Sequence, residues 1–225
     1  MANTLDLQEQ EQLDEFKAFW KQWGNLITWV ITACLLAYAG WNGWGWYQRD
    51  QAAKASMMFD QLDQAALAGD AERAGRVFND MRDRFARTAL TQHAGLLAAR
   101  LQYEQGKPDA AKASLGWVAE NAVEDEYRAI ARLRLAGVLL DAKDYDAALK
   151  TLDGAQSKPF AGLVADRRGD VLAAQGKPEL ARAAYQTAWA AMSDKVDYKR
   201  LVEAKLTSMG AAPAPAASAA SGAAK

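Results

Sequence analysis

Gly106-Lys-Pro-Asp-Ala-Ala111-Lys-Ala-Ser-Leu115 is matched twice more in the chain, by Lys143-Asp-Tyr-Asp-Ala-Ala148-Leu-Lys-Thr-Leu152 and by Gly176-Lys-Pro-Glu-Leu-Ala181-Arg-Ala-Ala-Tyr185. Each stretch opens on a turn. A Pro or Tyr follows, then an alanine three residues on, then a large apolar residue four further on. A fainter copy runs Gly69-Asp-Ala-Glu-Arg-Ala74-Gly-Arg-Val-Phe78. The spacing of three and four residues is that of one helix face. Good helix formers dominate residues 51–209, and no segment alternates as a half-buried strand does. Pro108 and Pro178 suit first helical positions, and Pro159 suits a loop.

The anchor alanines, Ala74, Ala111, Ala148 and Ala181, stand 37, 37 and 33 residues apart. This is close to the period of about 34 residues found in tetratricopeptide repeats. The alanine lets the second helix of a pair approach the first, where Ala99, Ala136 and Gly169 occupy the matching small positions. The large residue four positions on fills the space between pairs. One pair cannot bury both its faces, so pairs stack. A plain helical bundle is the rival, but four copies at near-equal spacing argue against it. Val196 to Met209 is expected to form a terminal helix over the last pair. Residues 210–225, GAAPAPAASAASGAAK, lack any large apolar residue and are expected to be a disordered tail.

Upstream of the repeats, residues 22–48 hold 27 residues without one Asp, Glu, Lys or Arg. About 20 apolar residues cross a hydrocarbon core about 30 Å thick. Trp20 and Trp23 stand at one end of the stretch, and Trp41, Trp44, Trp46 and Tyr47 at the other. Indole rings favour the headgroup layer, and Trp23 to Trp44 spans about 31 Å of helix. A buried core helix has no need of aromatics at both ends. Two cleavage readings compete. Ala37-Tyr38-Ala39 resembles a signal-peptidase site, and Ile31-Thr32-Ala33-Cys34 loosely resembles a lipoprotein box. A cleaved signal starts short and positive, whereas residues 1–25 are long and carry a net charge of −3, with Asp6, Glu9, Glu11, Asp14 and Glu15 against Lys17 and Lys21. The fold class expected is therefore all-α: an acidic arm over 1–21, one transmembrane helix over 22–48 and a tetratricopeptide-like α-solenoid over 49–209. Lys17 and Lys21 before the span balance Arg49 and Lys54 after it, so charge leaves orientation open.

Composition narrows function. Residues 49–225 carry +2, without the basic footprint of a nucleic-acid binder. Arg82, Arg84 and Arg87 are interrupted by Asp83 and read as a solvated face. Cys34 is the only cysteine and His93 the only histidine. Zinc spacing, a phosphate loop and a nucleophile–histidine triad are all missing. No cofactor and no enzymatic activity are expected. Stacked pairs expose a surface lined by their first helices. Counting from the small positions places His93, Leu96, Arg100 and Tyr103 there from one pair, Ile130, Leu133 and Leu140 from the next, and Leu163, Asp166 and Asp170 from the third. These residues either form a groove for an apolar helix or unfolded segment, or, in the case of the leucines, belong to the core. Leu13, Phe16, Trp20, Trp23 and Ile27 form a further stripe, able to dock on a membrane protein or to lie along the lipid interface.

The order of parts resembles the ancillary SecYEG translocon subunit (YfgM) family. The local matches are Leu133-Arg-Leu-Ala136 leading into Ala147-Ala-Leu-Lys-Thr-Leu-Asp153, and Val164-Ala-Asp-Arg-Arg-Gly-Asp170 leading into Gly176-Lys and Ala181-Arg182. The likeness runs from residue 5 to about 209, is weak over 55–90 and is absent from the tail. It implies a bacterial inner-membrane protein with a cytoplasmic amino terminus and a periplasmic repeat domain. The implied partners are the SecYEG translocon, a PpiD-like membrane-anchored chaperone, exported client polypeptides and membrane lipid. The implied role is non-enzymatic help in passing exported proteins to periplasmic chaperones. The alternative is a membrane-tethered scaffold or regulator of envelope assembly or envelope stress signalling.

Overall fold

The computed structural model describes residues 7–155, 157–193 and 197–211, with side chains from residue 12. Among the described residues the regular structure is helical: α1 (Leu7–Leu67), α2 (Ala71–Phe85), α3 (Ala89–Glu104), α4 (Pro108–Asn121), α5 (Asp125–Asp141), α6 (Tyr145–Asp153), α7 (Ala161–Ala174), α8 (Pro178–Ala191) and α9 (Tyr198–Ser208). A 3₁₀ turn, Lys158–Phe160, precedes α7 and carries Pro159, where the sequence suggested only a loop. Asp6 of the arm, Val196 of the expected terminal helix and tail residues 212–225 lie outside the described residues. Contacts divide the chain into two units between Gln51 and Ala52.

The first unit is the stretch of α1 up to Gln51. Of residues 22–48 only Gly24 is buried; Trp29, Leu35, Leu36 and Trp41 are all exposed. Three of its polar side chains bond to their own helix. Thr28 donates to the Gly24 carbonyl (2.8 Å), Thr32 to that of Thr28 (2.8 Å) and Asn42 to that of Tyr38 (3.1 Å). Internal satisfaction is what lipid demands of a backbone and its polar appendages. Among the described residues, α1 is the one helix long and apolar enough to cross a membrane.

The second unit is built of stacked hairpins. The end of α1 enters it through Ala55, Leu62 and Ala65, which share a core with Ala71, Ala74 and Phe78 of α2. Next come the pairs α3–α4, α5–α6 and α7–α8. Ala74, Ala111, Ala148 and Ala181 are each 0% exposed, which fixes the repeat register read from their spacing. Phe78, Leu115, Leu152 and Tyr185, four residues on, are buried as well. On the first helices Ala99 and Ala136 are buried, and a Cβ added at Gly169 would lie 2.4 Å from the Tyr185 ring.

The four hairpin corners share one hydrogen-bond pattern. The N–H groups of Asp70, Lys107, Asp144 and Lys177 reach back to the carbonyls of Ala65, Gln102, Leu139 and Leu172, at 2.8, 2.8, 2.9 and 3.0 Å. These bonds satisfy carbonyls that the ending helix leaves orphaned. The second helices then start in two ways. Asp70 and Asp144 cap the N–H groups of Arg73 (2.9 Å) and Ala147 (3.3 Å), whereas Pro108 and Pro178 take the first helical position, where no N–H is needed.

A fifth corner follows α9, where the Ala211 N–H reaches the Leu206 carbonyl (3.0 Å). By this pattern α9 is the first helix of a further pair. The left-handed residue of each corner is Gly69, Gly106, Lys143, Gly176 or Gly210; Ala99, Ala136 and Gly169 each stand seven residues before theirs, and in α9 that place belongs to Glu203, which is exposed. A charged, exposed side chain thus stands where Ala99, Ala136 and Gly169 are small. Within the stack the buried side chains form three clusters. The first helices link them: α5 gives Ala131 and Val138 to one cluster and Ala136 to the next, and α7 gives Val164 to that one and Ala165 to the last.

Candidate functional site

The first helices touch one another, α3 with α5 and α5 with α7. Between α3 and α5 lies an open cleft of about 390 Å³ whose walls include His93, Leu96, Arg100, Tyr127, Ile130 and Arg134. A second cleft of about 460 Å³ shares Arg100 and Arg134 with it and adds Tyr103, Leu115, Val138, Asp141 and Arg167. His93, Leu96, Arg100, Tyr103 and Ile130 are thus brought together around two adjoining clefts. His93 also stacks on Phe59 of α1, ring centroids 5.1 Å apart.

The polar groups here hold each other in place. Arg100 Nε donates to Glu104 Oε1 (2.7 Å), and this bond raises the guanidinium's pKa. The Tyr103 hydroxyl donates to Asp141 on α5, which lifts the phenol above its ordinary value. Arg134 Nη1 donates to the Leu96 carbonyl (3.3 Å). Burial first, and the nearby Arg100 charge second, push the Arg134 pKa down.

The remaining residues read as groove lining stand elsewhere. Leu133 and Leu140 are half-buried and pack on the core of the α5–α6 pair. Leu163 is half-buried in α7. Asp166 is 1% exposed, and its carboxylate accepts from Lys205 Nζ (2.8 and 3.0 Å) and the Tyr198 hydroxyl (2.7 Å). Asp170 accepts from Lys205 (2.7 Å) and the Tyr185 hydroxyl (2.8 Å). Asp166 is thus engaged by α9, and Asp170 by α8 and α9. Arg134, Arg167 and Asp141 line the clefts although the sequence reading did not select them. Counting in steps of three and four from a small residue follows one line along a helix, and Arg134 lies beside that line. A signal existed: Arg134 and Arg167 each stand nine residues before their corner residues, Lys143 and Gly176.

What converges at the clefts is a set of guanidinium and hydroxyl donors beside apolar walls. Among the described residues no cluster of His, Cys, Asp or Glu is placed to hold a metal ion.

The tetratricopeptide repeat-like domain family matches residues 17–211. A Neisseria gonorrhoeae protein named ancillary SecYEG translocon subunit is 31% identical over 207 residues, which cover 90% of this chain and 98% of that protein. The chain belongs to the ancillary SecYEG translocon subunit family. Proteins of the same name from Escherichia coli and Haemophilus influenzae are 27% identical over 181 residues and 24% identical over 185; these matches cover 79% and 82% of this chain, and 85% and 90% of the relatives. For a member of the ancillary SecYEG translocon subunit family, the matched range has a structural meaning. It starts within α1 before the apolar stretch and ends just after the α9 corner, so it includes both the membrane-length apolar stretch and the hairpins.

Proposed function

We propose that this protein is a non-enzymatic accessory subunit of the SecYEG protein-export channel, helping newly translocated polypeptides pass to periplasmic chaperones. Its amino terminus would face the cytoplasm and its hairpin domain the periplasm of a bacterium, with residues 22–48 in the inner membrane. The observation that carries this reading is that one chain joins a membrane-length helix to a stack of hairpins and matches, across nearly its whole length, a relative bearing the translocon-subunit name. The anchor holds the clefts near emerging chains and raises their effective concentration, so weak and rapidly reversible contacts suffice. A PpiD-like anchored chaperone and exported clients are the partners proposed for the face bearing His93, Arg100, Tyr103 and Ile130.

A photo-crosslinking side chain at His93 or Tyr103, both exposed, tests the reading in living cells. Labelled exported chains caught during their passage, together with channel subunits co-isolated in mild detergent, are the expected result. Stable envelope-assembly proteins alone would replace it with a scaffold role. Protease added to osmotically opened cells should degrade the hairpin domain; full protection would place that domain in the cytosol and remove the export role.

A further inference from the structure

The two adjoining clefts have their cations at the middle and their acids at the ends. On α5, Glu126 lies in the first turn, Arg134 at the centre and Asp141 at the last position. At 1.5 Å per residue, Arg134 is roughly 12 Å from the first and roughly 10 Å from the last. Glu104 is taken by Arg100 (2.7 Å), and Asp141 accepts from Tyr103. Arg167 lies 3.8 Å from Asp170. Arg134 bonds only a neutral carbonyl, and among the described residues no carboxylate stands within ion-pair distance of it.

A second junction in the same stack shows what is missing. Asp166 and Asp170 stand ten and six residues before the corner Gly176, and they hold Lys205 of the next first helix, α9. Leu96 and Arg100 stand at the same two places before Gly106 and face Arg134 of the next first helix, α5. At the α7–α9 junction the earlier helix supplies two carboxylates to a lysine five residues before its corner; at the α3–α5 junction it supplies a leucine carbonyl and a second cation to an arginine nine residues before its own. Arginine is also the cation whose planar fork grips a carboxylate through two bonds. Apolar walls flank it on both sides, Leu96 and Ile130 in one cleft and Leu115 and Val138 in the other.

We propose that the α3–α5 face takes an extended polypeptide segment with an acidic side chain at its centre, gripped by Arg134 and Arg100, and apolar side chains in the clefts to either side. The incoming carboxylate supplies the ion partner that the α7–α9 junction has and this one lacks. It also offsets the like charge of Arg100, one of the influences that disfavour the Arg134 charge. This deepens the accessory role proposed above by naming the kind of segment held.

The full chain in detergent micelles, titrated with a fluorescent peptide Ala-Leu-Ala-Val-Asp-Val-Ala-Leu-Ala and with its twin carrying Asn for Asp, tests the inference. The Asp peptide is expected to bind about tenfold tighter, the scale of one charge-assisted hydrogen bond. Arg134→Gln should abolish the preference, bringing the Asp peptide to the affinity of its Asn twin. Arg134→Lys should retain part of it, because the charge stays and the fork is lost. Arg73→Gln, on the exposed side of α2, should change nothing. Equal binding of the two peptides to the parent chain overturns the proposal, as does a full preference in a folded Arg134→Gln chain. Co-isolation with SecYEG, read on the same samples, separates the two levels. A parent chain that co-isolates with the channel yet treats the peptides alike removes the acidic determinant and leaves the accessory role standing.

Discussion

Lys143 is the residue that most plainly works against the fold it belongs to. The other corners place Gly69, Gly106, Gly176 and Gly210 at φ of 68°, 70°, 73° and 71°, and Lys143 takes the same left-handed conformation at 60°. A side chain there crowds the following carbonyl, at roughly 1–2 kcal/mol per residue, and glycine does not. Lys143→Gly should therefore raise stability by about 1 kcal/mol, read as a higher denaturation midpoint of the purified chain. Gly95 behaves oppositely. A Cβ at that position would sit 2.4 Å from Val118 Cγ2 and 2.8 Å from the Phe78 ring, both buried neighbours. Alanine gains about 1 kcal/mol of helix propensity, while overpacking costs about 1–3 kcal/mol, so Gly95→Ala should lower the midpoint. An unchanged or higher midpoint would mean that α2 and α4 yield freely. Ala74, Ala111, Ala148 and Ala181 were legible in the sequence because they recur at one spacing. The role of Gly95 was not legible, since its neighbours come from two other helices.

At the scale of elements, α9 owes its place to a few polar groups. Lys205 Nζ sits between Asp166 and Asp170 and 5.2 Å above the Tyr185 ring, and Tyr198 bonds Asp166. Breaking a buried pair costs about 3–5 kcal/mol; the Lys205 side chain is 24% exposed, so the lower end applies. Lys205→Met should thus destabilise the chain by about 2–3 kcal/mol, and an equilibrium denaturation curve like the parent's would show that α9 is held by Val202 and Leu206 alone. Alkali offers a second probe. Burial first, and the bond to Asp166 second, push the Tyr198 hydroxyl up to about 12 from 10.0. The folded state therefore favours the neutral phenol. Its contribution is complete below pH 10 and is lost as pH rises towards about 12. The parent should melt above Tyr198→Phe at neutral pH, and the gap should narrow above about pH 10. A constant gap would remove the hydroxyl from the clamp. The need to cover the last pair led to the expectation of a terminal helix, found as α9 over Tyr198–Ser208, but not to its lysine claiming Asp166 and Asp170. Those acids sit at helical spacing suited to a solvated face, and their partners on α9 lie more than thirty residues away, where spacing carries no information. Arg134 and Arg167 were harder to see for a related reason: apart from their shared place nine residues before a corner, nothing distinguishes a guanidinium lining a cleft from one facing solvent.

The whole molecule depends on one helix serving two surroundings. From Ala55 onwards α1 buries apolar side chains among the hairpins, whereas Ile31, Leu35 and Leu36 are 53%, 62% and 69% exposed. Apolar surface of that extent marks contact with something other than water, and its length matches a bilayer core. The sequence alone conveyed this because absence of charge over such a span is a local property that needs no tertiary contact to interpret. A charged side chain at the middle of a membrane helix costs about 2.5–3.5 kcal/mol. Ile31→Asp with Leu35→Asp places two such charges one turn apart, on one face of the span. The variant should lose its hold on the membrane and pass into the supernatant on alkaline carbonate extraction, where the parent stays in the pellet. Because Ile31 and Leu35 belong to the first unit, the hairpins should keep their thermal midpoint. Retention of the double variant in the pellet would show that another surface secures the protein. A lowered midpoint would show that the hairpins draw stability from the span itself.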